Sequence, residues 1–440
     1  MTHCVGIRRE DKSVWERRVP LTPADARMLR EREGIEVRVQ PSPTRVITAE
    51  EFRKAGVEVD EDLSPCPVIL GVKEIPKALL ERGKTYVMFS HTAKAQPYNM
   101  AMLGALMDLG CTLIDYERIA DDVGRRLIFF GRHAGLAGMV ETLWALGRRL
   151  AWEGVPNPLT DLRHSYEYAD LAAVKEAVHR VGKRIRHKGL PQAVVPLTVG
   201  VAGYGNVAKG AFEILNELPL QEIEPGELSA LVGGGTASAN VVYKVVFKEE
   251  HTVEPVDAGH AFDLQEFFTH PELYRGVFER YVPFLTVLVN CVYWEAKYPR
   301  LLTKAFLRRH FAEGTPRLRV IGDISADIEG AVECDTHTTE ADNPVYVFDP
   351  ATGETADGVA GAGPVVMAVD ILPTELPRDS SIDFSRALAE LIPALVGADY
   401  SVSFAELVLP PELKRAVIVH RGELTPDYRY LEESAQRRES

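Results

Sequence analysis

The segment Gly203-Tyr204-Gly205-Asn206-Val207-Ala208 has the spacing that brings a backbone against a dinucleotide pyrophosphate. An apolar run, Val194 to Ala202, leads into it. Val207, Ala208, Ala211, Phe212, Leu215 and Leu218 continue from it with a helical period, which Pro219 ends. Gly203 permits the tight turn, Gly205 lets the backbone approach a phosphate, and Ala208 is small enough for close packing of helix on strand. Asn206 and Val207 open the helix, whose free amides and positive dipole end favour an anion. Glu222 and Glu224 follow about twenty residues on, where one acid could bind the ribose hydroxyls; this leaves NAD and NADP undecided.

A second set of reactive side chains falls just beyond short apolar runs. Val68 to Val72 ends at Lys73 and Glu74, Tyr86 to Phe89 ends near His91 and Lys94, and Cys111 to Ile114 ends near Glu117. Further on, Phe284 to Asn290 and Leu318 to Gly322 place Asn290 and Asp323-Ile324-Ser325-Ala326-Asp327 in the same relation. The segments between the first three runs are long enough for helical crossovers, so these runs are predicted to be parallel strands. Ligands of open α/β sheets bind at carboxyl ends of strands. His91 has the ordinary pKa for acid or base work. Lys73 can share that work if burial or neighbouring cations depress its pKa. The two would titrate as a coupled pair, so neither role is given to one residue. Arg17 and Arg18 precede Val19-Pro20-Leu21-Thr22-Pro23; a guanidinium fork suits a carboxylate, although two adjacent arginines also fit an exposed surface.

The elements that must carry these residues follow from local signals. Thr22 with Pro23 and Asp25 reads as a helix start, and Gly34 as its end. Ile35, Val37 and Val39 alternate as a strand, and Thr48-Ala49-Glu50-Glu51 fits a capping box for a helix closed by Gly56. Gly135 to Leu150 and about Ser385 to Val396 read as helices, and Lys183 to Lys188 as a solvated basic surface before a new strand.

With 440 residues, 46% hydrophobic and 26% charged, the chain is expected to fold as two or three soluble domains. Net charge is −14, which argues against general nucleic-acid binding but allows a local basic cluster to hold an anionic substrate. The five cysteines are dispersed, without a CxxC pair, and read as reduced thiols of a cytoplasmic protein with no metal site. The N-terminus lacks the apolar core of a signal peptide, and the longest apolar stretch, near Tyr281 to Trp294, is too short to span a bilayer, so no membrane partner is expected.

Several strings carry a family resemblance: Glu16 to Pro23, Gly71-Val72-Lys73-Glu74, Phe89-Ser90-His91-Thr92-Ala93-Lys94 and Leu113-Ile114-Asp115-Tyr116-Glu117. Others are Phe130-Gly131 with Ala134-Gly135, Asn216-Glu217-Leu218-Pro219, Tyr293-Trp294-Glu295, Pro299-Arg300-Leu301-Leu302-Thr303, Asp323 to Asp327 and Leu372 to Pro377. Together they resemble the alanine dehydrogenase and lysine-forming saccharopine dehydrogenase superfamily. More narrowly, they resemble the lysine-2-oxoglutarate reductase domain of the bifunctional aminoadipic semialdehyde synthases.

The resemblance implies an α/β fold of two Rossmann-like domains with parallel sheets flanking a central cleft. Residues 1–132 and 366–440 would form the substrate domain and 133–365 the dinucleotide domain. It implies that Arg18 holds a substrate carboxylate, that Lys73 and His91 are the acid–base pair, and that Glu74, Lys94 and Glu117 form a supporting charge network. Asp327 would lie beside the nicotinamide, and Arg126 could join Arg18 and Lys94 around a product with three carboxylates. The implied reaction couples L-lysine to 2-oxoglutarate, giving saccharopine, with NADPH as first choice and NADH as the alternative. An NAD-linked saccharopine or alanine dehydrogenase and a non-catalytic nucleotide sensor are the other readings. The chain ends soon after the reductase-like region, so saccharopine oxidation is expected to need another protein. Self-assembly into a homo-oligomer stays open.

Overall fold

A computed structural model describes residues 3–436. The chain divides into two compact units, one made of the residues up to Phe130 together with those from Pro377, the other of Gly131–Leu376. The expected return at residue 366 falls inside a strand of the second unit, Val365–Met367. That strand pairs with Val320–Asp323, so the chain leaves the second unit only after it.

In the first unit eight strands form one sheet. Their order is Glu423–Leu424, Val417–His420, Thr112–Asp115, Thr85–Met88, Val68–Leu70, Cys4–Ile7, Glu36–Val39 and Glu58–Val59. The six from Thr112–Asp115 outward are parallel; Val417–His420 pairs antiparallel with Thr112–Asp115, and Glu423–Leu424 pairs antiparallel with Val417–His420 at the edge. Side chains alternate between two cores. Val5, Ile7, Leu70 and Ile114 enter one; Ile69, Tyr86, Met88 and Leu113 enter the other. The local punctuation acts as the residue types require. Thr22 accepts from the Asp25 amide, Gly34 ends that helix at φ +64°, and Thr48 with Glu51 forms a reciprocal capping box. The helix expected over Ser385 to Val396 is two helices, Pro377–Ala389 and Ile392–Gly397.

The cysteine reading needs one correction. Cys4 and Cys66 are joined as a disulfide, with Cα atoms 4.9 Å apart, while Cys111, Cys291 and Cys334 are free. Their separation of 62 positions along the chain conceals their proximity, which arises because strand Cys4–Ile7 lies beside strand Val68–Leu70.

The second unit has its own eight-stranded sheet. Its order is Thr355–Asp357, Val345–Phe348, Val365–Met367, Val320–Asp323, Val287–Asn290, Leu197–Ala202, Val242–Phe247 and Leu220–Glu222. All run in one direction except Val345–Phe348, which pairs antiparallel with Val365–Met367 and with its hairpin partner Thr355–Asp357. Val199, Val289 and Met367 face one core; Leu288, Ile321 and Val366 face the other. The basic run Lys183 to Lys188 is the end of the amphipathic helix Leu171–Lys188, its charges exposed and Ile185 buried. No described helix is long and apolar enough to cross a membrane.

The helix Gly131–Trp152 crosses one face of this sheet against the helix Asn206–Leu215. Two glycines set how close they come. A Cβ on Gly135 would stand 1.8 Å from the Val207 carbonyl oxygen, and one on Gly210 would stand 2.0 Å from that of Arg132. Either would force the backbones apart, and overpacking of this kind costs about 1–3 kcal/mol or more. A Cβ on Gly205 would meet no atom within 4 Å, and the residue lies at φ −75°, which any residue adopts. Gly135→Ala is therefore expected to lower the melting temperature by roughly 2–12 °C, at about 2–4 °C per kcal/mol for a unit of this size. Gly205→Ala should leave it unchanged. Thermal unfolding of both variants followed by circular dichroism checks the contrast, and equal shifts would contradict it.

Candidate active site and dinucleotide turn

Glu10 organises the carboxyl edge of the first sheet. It follows strand Cys4–Ile7 and accepts hydrogen bonds from the Val72 and Lys73 amides at 2.7 and 2.9 Å, just past strand Val68–Leu70. Burial first, then the charge of Glu16, pushes its carboxyl up to about 7, against the two amide bonds. Glu10 was not among the sequence candidates. Its place directly after an apolar run is the signal that could have found it.

Those two amide bonds fix the backbone from which Lys73 and Glu74 project. Lys73 is half-buried, and its ammonium is drawn below its ordinary pKa by burial and then by Arg18, with Glu16 and Glu74 opposing. Glu74 accepts from His91 Nδ1 at 2.7 Å, lies 3.6 Å from Lys12 Nζ, and accepts from Asn99 Nδ2 at 3.4 Å. Burial works to raise Glu74, but the bond and charge of His91, with Lys12, outweigh it and bring the carboxyl down to about 2. Glu74 is thus an anion at working pH. An anion facing Nδ1 makes that nitrogen the donor and leaves Nε2 as the nitrogen that exchanges protons outward. His91 itself sits at φ +49°, a left-handed conformation uncommon for a residue with a Cβ and one that clusters at functional sites.

Arg18 is buried, 4% exposed, and its Nε donates to Glu16 Oε1 at 2.8 Å while Nη2 meets Glu16 Oε2. The guanidinium lies 4.1 Å from the centre of the Phe130 ring, which stacks on Phe384. Half of the fork expected to receive a substrate carboxylate is therefore already committed to Glu16. Nη1 has no hydrogen-bond partner among the described residues. Arg17 and Arg18 are not the exposed pair that composition allowed for, since Arg18 is inside.

The other sequence candidates are more dispersed. Glu117 is half-buried and lies 3.5 Å from Arg126, itself half exposed. Its amide donates to Asp115 at 2.8 Å, and Asp115 also accepts from the Ser90 amide and hydroxyl beside His91. Burial lifts Asp115 to about 6. Lys94 is exposed on the loop that follows His91. The geometry groups Arg18, Lys73, Glu74 and His91, adds Glu10, Lys12 and Glu16, and leaves Lys94 and Arg126 outside that group.

In the second unit the glycine turn connects strand Leu197–Ala202 to helix Asn206–Leu215, as its pattern requires. Gly203 has φ +102°, and a Cβ there would meet the Cys291 carbonyl oxygen at 3.1 Å. Gly205 is the N-cap and supplies no side-chain cap, so the amides of Asn206 and Val207 are left for a ligand. Ala208 is fully buried. Open space before Gly205, uncapped amides and a small third residue fit a dinucleotide pyrophosphate. Asn290 is buried and donates to Asp323 at 2.9 Å, and Asp327 is exposed on the loop beyond.

Glu224 is displaced from the position expected for it. It follows Leu220–Glu222, which lies at the sheet edge, two strands from the glycine turn. The strand beside Leu197–Ala202 is Val242–Phe247, and the residues past its carboxyl end are Lys248 and Glu249. Tyr204 of the turn donates to Glu249 at 3.1 Å. The chain builds the outer strand first and fills the inner place second, so counting residues from the turn lands on the wrong strand.

Comparison with known proteins bears on the family and the fold. Residues 6–137 match the family described as alanine dehydrogenase/PNT, N-terminal domain. Alpha-aminoadipic semialdehyde synthase of Arabidopsis thaliana is 39% identical over 443 residues, 97% of this chain and 41% of that protein. The chain thus spans less than half the length of that relative. The NAD(+), L-lysine-forming saccharopine dehydrogenase of Emericella nidulans is 27% identical over 404 residues, 87% of this chain and 90% of that protein. A solved L-alanine dehydrogenase superposes with a TM-score of 0.62 at 17% identity, covering 98% of this chain and 99% of its own, which speaks to fold. By these likenesses the chain is a homologue of the alpha-aminoadipic semialdehyde synthases, and its residues 6–137 carry the alanine dehydrogenase/PNT N-terminal domain.

Proposed function

We propose that this chain catalyses the NADPH-dependent reductive condensation of L-lysine with 2-oxoglutarate to saccharopine. The observation that carries the reading is the pairing of His91 with ionised Glu74 beside a half-buried Lys73 of depressed pKa. Formation of an imine from an amine and a ketone needs a base to keep the attacking ε-amine neutral and an acid to protonate the departing hydroxyl. Lys73 and His91 Nε2 provide two proton-exchanging groups, and Glu74 keeps the imidazole oriented through Nδ1. Arg18 Nη1 offers a charge-assisted donor to one substrate carboxylate, with the guanidinium held by Glu16 and Phe130. The bound reduced nicotinamide supplies the hydride for the imine carbon. Gly203, Gly205, Asn206, Val207 and Ala208 hold its pyrophosphate, and Asp327 is assigned to the nicotinamide side.

For the cofactor's phosphate we infer that Lys248 reads the 2′ position. It follows the strand adjacent to the turn strand, where an acid would serve NAD and a cation NADP. The likeness to a saccharopine dehydrogenase over 90% of that enzyme supports a second reading, in which the same groups oxidise saccharopine with NAD. Assaying both directions with both cofactors separates the two.

His91→Gln and Lys73→Met should each lower turnover by roughly 10²–10⁴-fold while NADPH still binds. The double variant should lose much less than the product of the single losses, because the two act as a unit. In wild type, turnover should rise with pH as the depressed Lys73 ammonium deprotonates, and Lys73→Met should lack that rise. Turnover against pH, at saturating lysine and 2-oxoglutarate, measures this, and near wild-type rates in both singles would remove the constellation from catalysis. Lys248→Ala should weaken NADPH binding by about tenfold or more, the worth of a charge-assisted bond of roughly 1.5–3 kcal/mol. NADH binding should change little. Fluorescence titration with both cofactors is the check, and an unchanged NADPH affinity rejects Lys248 as the reader.

A further inference from the structure

Asp323 and Asp335 form a buried carboxylate pair that the proposed chemistry does not use. Both are 0% exposed. Asp323 ends strand Val320–Asp323 in register with Asn290, whose side-chain amide it accepts at 2.9 Å, and its Oδ1 also accepts the Ala326 amide at 3.1 Å. Asp335 accepts the Tyr346 hydroxyl at 3.2 Å on Oδ1. On each residue Oδ2 is buried without a hydrogen-bond donor among the described residues. Yet the two side chains are within hydrogen-bonding reach of one another. Two ionised carboxylates only accept, so they repel; one proton between them satisfies both orphan oxygens.

The pair sits at the base of a loop. Asp323 precedes it and Asp335 follows it, and the Asp335 carbonyl accepts the Glu329 amide at 2.6 Å. Ser325 donates to the Val292 carbonyl at 2.6 Å, while Ala326 and Glu329 both adopt left-handed backbone at φ +50° and +49°. The loop tip, Asp327 to Glu329, is exposed, whereas Ala331, Val332 and Cys334 are buried. The exposed tip is carried by the buried ends of the loop, so its position is set from below.

We propose that Asp323 and Asp335 share a proton, and that this proton clasps the two ends of the loop 324–334 and so positions Asp327. The bearing of the clasp on catalysis rests on the reading that Asp327 lies beside the nicotinamide; the clasp itself does not. The other groups facing the pair do not replace the proton. Asp327 adds negative charge, Cys291 and Cys334 have thiols pushed far above their ordinary range by burial, and Tyr346 is likewise held neutral. Lys304 acts on Cys334, and His337 stacks on the ring of Tyr346 at 4.2 Å. Burial, and for Asp323 its neighbour Asp335, hold both carboxyls above the ordinary range, Asp335 at about 7.

The sign follows from linkage. The closed loop binds a proton that the open loop releases, so closure is favoured at low pH and weakens as pH rises toward the pair's raised pKa values. Amide hydrogen exchange of the cofactor-free protein reads this directly. Protection in residues 324–334, corrected for intrinsic rate, should fall by about tenfold or more per pH unit between about pH 5 and 7, since opening releases at least one proton and Asp335 is raised to about 7. In Asp335→Asn the amide donates permanently to Asp323, and in Asp323→Asn the donation runs the other way; in both, protection should be nearly independent of pH. A wild-type loop with flat protection, or variants with the wild-type slope, overturns the clasp, and the wild-type measurement decides even if a variant fails to fold. NADPH affinity by fluorescence over the same pH range should weaken in parallel in wild type alone. Exchange that follows the prediction while affinity ignores pH supports the clasp and rejects the placement of Asp327 at the nicotinamide.

Discussion

Backbone-to-backbone approach at Gly135 and Gly210 is the constraint on which the second unit depends. Helix Gly131–Trp152 touches helix Asn206–Leu215 where no side chain could stand, and both pack on the central strands of the sheet. The glycine turn leads directly into the shorter helix. Its position relative to the sheet is therefore set by a contact far more rigid than the turn itself. A loop held this way loses little freedom when it meets a phosphate, which is the physical content of preorganisation.

The first unit solves a different problem, that of keeping several charged groups together at a partly buried sheet edge. Glu10 commits both carboxylate oxygens to the amides that follow strand Val68–Leu70. Glu16 takes half of Arg18, and Glu74 takes His91. Each carboxylate fixes the orientation of a neighbouring group, and what is left over, the Lys73 ammonium, Arg18 Nη1 and His91 Nε2, is what the proposed chemistry uses. The opposite displacements of Glu10, to about 7, and Glu74, to about 2, show how one edge holds a near-neutral acid and a firm anion. Burial, then the charge of Glu16, lifts Glu10 against its two amide bonds, whereas at Glu74 an imidazole and an ammonium outweigh burial.

Counting along the chain is a sound guide within an element and a poor one between elements. The glycine turn, the capping box at Thr48 and the alternation of Val199 and Val201 depend on neighbours a few residues away, and the residue types specify them. Glu224 falls away from the turn because strand order is decided by which strand best pairs with Leu197–Ala202, and Val242–Phe247 does so over six residues. The disulfide between Cys4 and Cys66 escapes the spacing of the cysteines for the same reason.

What the sequence determined by itself is the alternation of strand and helix, the dinucleotide turn, and the fact that Lys73, Glu74, His91 and Asn290 fall at or just past strand ends. Period and punctuation are local, and parallel strands bring their carboxyl ends to one edge whatever their order. Only the tertiary structure decided that Arg18 is buried against Glu16, that Glu10 underpins Lys73, that Lys248 borders the turn strand, and that Asp323 meets Asp335. Those contacts join residues with no common period, and their charges acquire meaning from burial, a property of packing that no single stretch of chain contains.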